Sequence, residues 1–194
     1  MVSEDLQTLL RPQLMVQKIV WAGLTITIGL YLFLAYQMVV LGQTNLSATQ
    51  LDKNLEIVIY AFAATMGILS LLLRKFLLSD QRLSTKLTQY HTHPERLAVT
   101  PRSGPLDTTK LEKVKKLSAK ERAILGLARE YFIAMIMSLA LTETIAISGF
   151  LLTLLSHQIT IMLPFVFATL ILNLAFFPRF NGFAEDTLNR LRLV

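Results

Sequence analysis

The chain contains no cysteine, which excludes a disulfide framework, a thiolate metal site and a catalytic thiol. Charge is also scarce: 16% of residues are Asp, Glu, Lys or Arg, against about 25% in soluble domains. The eight glycines form no phosphate-cradling loop, and no Ser/His/Asp constellation or paired intramembrane carboxylates can be assembled. An enzyme is therefore not expected, and neither is a cofactor. Histidine is limited to three residues. His91 and His93 lie in a loop with only Glu95 nearby, too few donors for a metal site.

Hydrocarbon is what the chain has in quantity. Hydrophobic residues make up 53% of it and the mean hydropathy is +0.52. They come in long blocks rather than at a 3.6-residue period, which points to membrane spans. The central block is Tyr131–Leu155, 25 residues with one ionisable carboxyl, Glu143, at its middle. At about 1.5 Å per residue it can cross a hydrocarbon core of about 30 Å. An acidic group at that depth costs about 3 kcal/mol on insertion scales, so it calls for a partner, a proton or an ion.

Three further spans surround this helix. Ser3, Glu4 and Asp5 read as a helix start in an amphipathic lead-in, Met1–Lys18, and Pro12 suits the first turn of the helix that follows. No cleavable signal peptide is expected, because residues 1–18 are polar and the apolar run after them is too long. The first span is Ile19–Leu41, with Trp21 as an interfacial anchor. The second, Ile57–Leu73, has only 17 residues, so Glu56 is expected at one interface while Arg74 and Lys75 snorkel at the other. Its small residues Ala61, Ala63 and Gly67 suit close helix packing. The fourth, Ile159–Phe177, returns after the tight turn at 156–158. Pro164 there either kinks the helix or marks its start, and Asn173 suits an interhelical hydrogen bond.

Between the second and third spans lies the one sizeable polar segment, 78–130. Ser79–Tyr90 keeps a helical spacing that would carry the second span into water, and His91–Pro105 reads as an irregular connector. From Asp107 the chain turns helical again. Ser118-Ala-Lys-Glu121 is a capping box, from which a helix should run unbroken into the third span. The segment is basic but has no aromatic interleaving, so anionic lipid headgroups rather than nucleic acid are the expected partner. The tail, Pro178–Val194, spaces Phe180, Phe183, Leu188 and Leu191 as a short helix on the membrane surface.

Cations set the orientation. Eighteen of the 19 Lys and Arg fall on one side of a four-span arrangement, and Lys53 alone falls on the other. The positive-inside rule makes the rich side cytoplasmic. The expectation is an all-α integral membrane protein with both termini inside, consistent with a bacterial inner membrane. Its four transmembrane helices form two antiparallel hairpins joined by a helical cytoplasmic connector. Along the chain this gives a first hairpin at 1–77, a basic connector at 78–130, and a second hairpin with its tail at 131–194.

On the third helix, Ile136, Leu139, Ala140, Ala146, Ile147 and Phe150 lie within about 60° of Glu143. The small Ala140 and Ala146 leave room for another helix or a small ion, and Thr142, Thr144 and Ser148 supply hydroxyls nearby. Low dielectric penalises the charged carboxyl, and a neutral acid can donate a hydrogen bond. Three readings stay open for Glu143: a hydrogen-bonding strut between helices, reversible H⁺ or Na⁺ binding, or a group facing lipid.

The run Ala140-Leu141-Thr142-Glu143-Thr144-Ile145-Ala146-Ile147-Ser148-Gly149-Phe150 resembles the carboxylate helix of the proteolipid c subunit of rotary ATP synthases. That resemblance implies an ion-carrying role for Glu143, a Na⁺-assisting hydroxyl at Thr144 and assembly into a homo-oligomer. It covers 11 residues; Ser148 stands where the family has Tyr, and the glycine-rich partner helix is represented only by Ala61, Ala63 and Gly67. The Trp21-Ala22 opening and the Ala140–Ile147 pattern also resemble small bacterial four-span membrane proteins, from which no activity follows. The alternative to an ion-binding membrane component is a noncatalytic scaffold or assembly protein, part of a membrane complex, whose basic segment docks a partner.

Overall fold

The computed structural model describes residues 3–42, 52–98 and 108–191, and every regular element among them is helical. Helix α1, Glu4–Tyr36, is extended by a π-helical turn at Gln37–Leu41. The Ser3 hydroxyl caps it by accepting from the Leu6 amide at 3.3 Å, and Glu4 and Asp5 complement its dipole. Pro12 does not open a new helix as expected; it lies inside α1. Leu6, Leu10 and Leu14 on either side of it are held by tertiary packing. That packing keeps the helix in register although the proline removes one backbone bond.

Helix α2, Lys53–Leu77, has 25 residues and outruns its 17-residue apolar stretch. The Arg74 guanidinium packs over the Phe176 ring at 4.8 Å and donates to the Ala175 carbonyl at 3.3 Å. A second correction falls at Ser79. Its extended backbone (ψ 143°) ends the run of α2, so α3, Asp80–Thr92, is a separate helix and not a continuation of the span. A single turn, α4, follows at Glu95–Ala98, and α5 covers Thr108–Lys116. The end of the expected irregular connector, 99–105, lies outside the described residues.

Helix α6, Ala119–Ser156, is 38 residues long. At about 57 Å it is nearly twice the thickness of a hydrocarbon core. Its start is a capping box. Glu121 Oε2 accepts from the amide and hydroxyl of Ser118, both at 2.9 Å, and the Ser118 hydroxyl accepts from the Glu121 amide at 3.3 Å. The other oxygen, Oε1, accepts from the Ser3 amide at 2.9 Å, so one carboxylate serves the starts of α1 and α6. These bonds hold the Glu121 carboxyl down to about 2; the Ser3 hydroxyl contributes most, then the Ser118 amide, the Ser3 amide and the Ser118 hydroxyl. At its other end α6 stops at His157, which takes the left-handed conformation (φ 54°) usual just past a helix C-terminus. A 3₁₀ turn at Ile159–Ile161 leads into α7, Met162–Ala175, with Pro164 unstrained in its first turn, and α8 follows at Phe180–Arg190.

The chain gathers into two compact units. A polar unit takes residues 1–18, 75–134 and 178–194; an apolar unit takes 19–74 and 135–177. In the polar unit, Leu83, Leu87 and Tyr90 of α3 meet Leu127, Ala128 and Tyr131 of α6 and Phe180, Ala184 and Leu188 of α8. The short helix expected in the tail forms, and the apolar stripe of α8, spaced by four residues, is buried against protein, where it matches the stripe of α3. Gly126 permits the contact: a Cβ there would sit 2.7 Å from the Tyr90 ring.

In the apolar unit α6 is central. Half of its most apolar stretch is buried within the protein, against 11% for α1 and for α2. Ala146 of α6 packs with Ile28 and Ala35 of α1 and with Met162 and Val166 of α7. Ile145 and Leu152 pack with Ala63 of α2 and Phe165 of α7. Gly149 marks the tightest approach, where a Cβ would lie 2.5 Å from that of Phe165. Among the described residues, three helices are long and apolar enough to cross a membrane: Glu4–Leu41, Lys53–Leu77 and Ala119–Ser156. Ile159–Ala175 and Phe180–Arg190 pass the same test of length and composition when taken together as one bent helix.

Candidate functional site

Glu143 lies near the middle of the buried part of α6, at the edge of an outward stripe formed by Ile136, Ala140, Ile147 and Leu151, all exposed. The residue as a whole is partly buried, both carboxyl oxygens are shielded, and neither has a hydrogen-bond partner among the described residues. The phenol of Tyr31, on α1, is close enough to interact with the carboxyl electrostatically, but it falls short of an ordinary hydrogen bond. Tyr31 is fixed from its other side by Phe150, one ring centroid 5.7 Å from the other. Around this pair the surroundings are apolar: Ile28, Ala35 and Ala146, with Leu32 at the margin.

The hydroxyls expected to serve Glu143 are engaged elsewhere. Thr142 is fully buried and lies 2.7 Å from Asn173 Oδ1 and 2.9 Å from the Leu139 carbonyl of its own helix. Thr144 donates to the Leu141 carbonyl at 2.7 Å, and Ser148 donates to the Thr144 carbonyl at 2.7 Å. Helical hydroxyls often bond back to their own backbone in this way, which removes them as donors to a neighbour. The candidate small residues divide. Ala63 and Ala146 are buried and Gly67 is half-buried, but Ala61 and Ala140 are exposed. Side chains built at Gly67 would meet Ile145 and Leu172 only at ordinary contact distances of 3.5 and 3.7 Å.

A second polar centre forms at Asn173, which is fully buried. Besides accepting from Thr142, it donates through Nδ2 to Thr25 at 3.5 Å, while its backbone carbonyl accepts from the Trp21 indole at 2.8 Å. Side-chain bonds thus join α7 to both α1 and α6. The Trp21 ring also meets Phe177 edge-on at 4.8 Å. A span-opening Trp and a Thr four residues later are a weak signal, and nothing in the sequence pairs them with Asn173.

The polar unit holds a buried carboxyl with the opposite surroundings. Glu130, on the same helix as Glu143, accepts a short hydrogen bond from the buried Tyr90 hydroxyl. Burial first, and then that bond, hold the Tyr90 phenol well above its ordinary range. No local sequence pattern links the two members of this pair, which lie 40 residues apart. No group of three or more metal-ligating side chains occurs among the described residues; His93 pairs only with Glu95, at 3.0 Å.

Fold and site together define an all-helical chain with several apolar helices compatible with an integral membrane protein, and one partnerless carboxyl inside its apolar unit. Comparison with protein-family models, curated proteins and solved structures found no match.

Proposed function

We propose that the protein is an integral membrane component in which Glu143 is a proton-binding carboxyl. The observation that carries this reading is that both Glu143 oxygens are shielded, with no cation and no ordinary hydrogen-bond donor against them among the described residues. A bare carboxylate in such surroundings is costly, so the proton is the simplest occupant. H⁺ is favoured over Na⁺ because a sodium ion needs several oxygens at once, while Thr142, Thr144 and Ser148 are committed to Asn173 and to backbone carbonyls. The analogy with the proteolipid carboxylate helix is proposed for this feature: one protonatable acid in mid-helix beside small residues.

The proposal includes four spans in two hairpins, with α7 as the short fourth span and both termini on the cytoplasmic, cation-rich side. The largely uncovered apolar faces of α1 and α2 are offered to lipid or to further copies of the chain. A hydrophobic carbodiimide tests the site, because it attacks only a protonated carboxyl reached from the apolar phase. Labelling at Glu143, falling as pH rises and unaffected by added Na⁺ at fixed ionic strength, is expected. Protection by Na⁺ but not by K⁺ would transfer the site to sodium, and absence of labelling at every pH would remove the ion-binding reading.

A further inference from the structure

Within the polar unit, a pocket of about 230 Å³ lies between the α1 segment that ends at Lys18 and the start of α8. Lys18 and Arg179 are both exposed, and neither has an acidic partner among the described residues. The first turn of α8, through Asn181 and Gly182, forms part of the same wall. The amides of a first helical turn have no intrahelical acceptor, and no side chain caps this one. Two cations and a helix N-terminus make a site for an anion, with phosphate the best geometric match.

Gln17 supplies an independent requirement. It lines the pocket and is fully buried; its Nε2 donates to the Ala128 carbonyl at 3.2 Å, while its Oε1 has no partner. A buried acceptor left unmatched costs free energy until a donor arrives. The complete ligand is thus a phosphate that carries a hydroxyl or ammonium a few atoms away, with Leu14 and Phe180 as an apolar floor. Sequence position points the same way: Lys18 is the last cation before one apolar run, and Arg179 is the first after another.

We propose that this pocket binds a phosphate ester bearing a donor group, and that the ester is a phospholipid headgroup such as phosphatidylglycerol or phosphatidylethanolamine. The phosphate sits against Lys18, Arg179 and the α8 amides, and the headgroup hydroxyl or ammonium sits on Gln17 Oε1. Phosphatidylcholine offers the phosphate but no donor for Gln17, so it binds more weakly.

The test uses the full chain in neutral-detergent micelles, with retention of added phosphatidylglycerol and phosphatidylcholine read by native mass spectrometry. The parent protein is expected to prefer phosphatidylglycerol. The exposed double substitution Lys18→Gln/Arg179→Gln should weaken its retention by about tenfold or more, at unchanged thermal stability. Gly182→Leu is a second variant, since an added side chain there meets nothing within 4 Å. It should obstruct the pocket without unfolding the protein. Loss of the lipid preference in Gln17→Met, with phosphate affinity kept, would support the donor contact. Competition by millimolar inorganic phosphate that disappears in the double variant would support the phosphate site and assign it to soluble esters. Equal retention of both lipids by the parent and the charge variants would overturn the proposal.

Discussion

Glu130 and Glu143 stand on one helix and both bring their carboxyl oxygens out of solvent, yet their surroundings are opposite. In the polar unit Glu130 meets the Tyr90 hydroxyl and is part of a satisfied core. In the apolar unit Glu143 has a tyrosine nearby but no completed hydrogen bond. A buried carboxyl with a donor stabilises the packing around it, whereas one without a donor destabilises it unless a proton neutralises the charge. The difference separates a structural acid from a candidate site more sharply than burial alone.

The largest expected effect comes from removing the two tyrosine hydroxyls in turn. Tyr90→Phe leaves Glu130 buried without its donor and should cost about 1–3 kcal/mol. Tyr31→Phe removes no formed bond and should cost less than about 0.5 kcal/mol. Chemical denaturation of both variants in detergent checks the comparison, and equal losses would erase the distinction between the two acids. Tyr90 also gives a pH signature. Its phenol is held above the ordinary value of 10, so its contribution is complete below pH 10 and is lost as pH climbs beyond that.

A smaller effect is expected within the apolar unit itself. Asn173→Leu breaks the side-chain links to Thr142 and Thr25, and should cost about 1 kcal/mol, the usual scale for such bonds between membrane helices. Glu143→Gln should change stability by less than this, because the carboxyl makes no bond to lose. A Glu143 variant that unfolds more readily than the Asn173 variant would recast Glu143 as a strut.

The smallest effect belongs to Glu121, which is partly exposed. Its carboxyl is depressed to about 2, so its bonds to Ser3 and Ser118 contribute above the ordinary value of 4.5 and fade as pH falls toward 2. Protection of the Ser3 and Ser118 amides, taken relative to their intrinsic exchange rates, should fall over that acid range, and in Glu121→Gln it should be lowered at neutral pH. Unchanged exchange in that variant would mean that the shared cap does not hold the two helix starts together.

Much of the helical architecture was legible because its signals are local. The capping box at Ser118–Glu121, the turn at His157 and the unbroken passage of α6 follow from side chains within a few residues of one another. Asn173 stood out as a polar group in an apolar run. Its partners Thr142, Thr25 and Trp21 did not, since helical phase on one element says nothing about which face of another it meets. The same limit hid the Tyr90–Glu130 pair and the closure of α8 onto α3. It also made Ala140 look like a packing residue beside Glu143, when tertiary packing turns that position outward. Gly126 and Gly149 were the available hints, because a mid-helix glycine costs about 1 kcal/mol relative to alanine and usually answers to a close approach.

The most direct measurement is an infrared difference spectrum of the protein in lipid at neutral pH, recorded for the parent, Glu143→Gln and Glu130→Gln. A protonated carboxyl gives a carbonyl stretch well separated from the carboxylate bands. A protonated-acid band in the parent that vanishes in Glu143→Gln and survives in Glu130→Gln is the predicted result. Only carboxylate bands in the parent at neutral pH, or an acid band that Glu143→Gln leaves in place, would contradict a proton on Glu143.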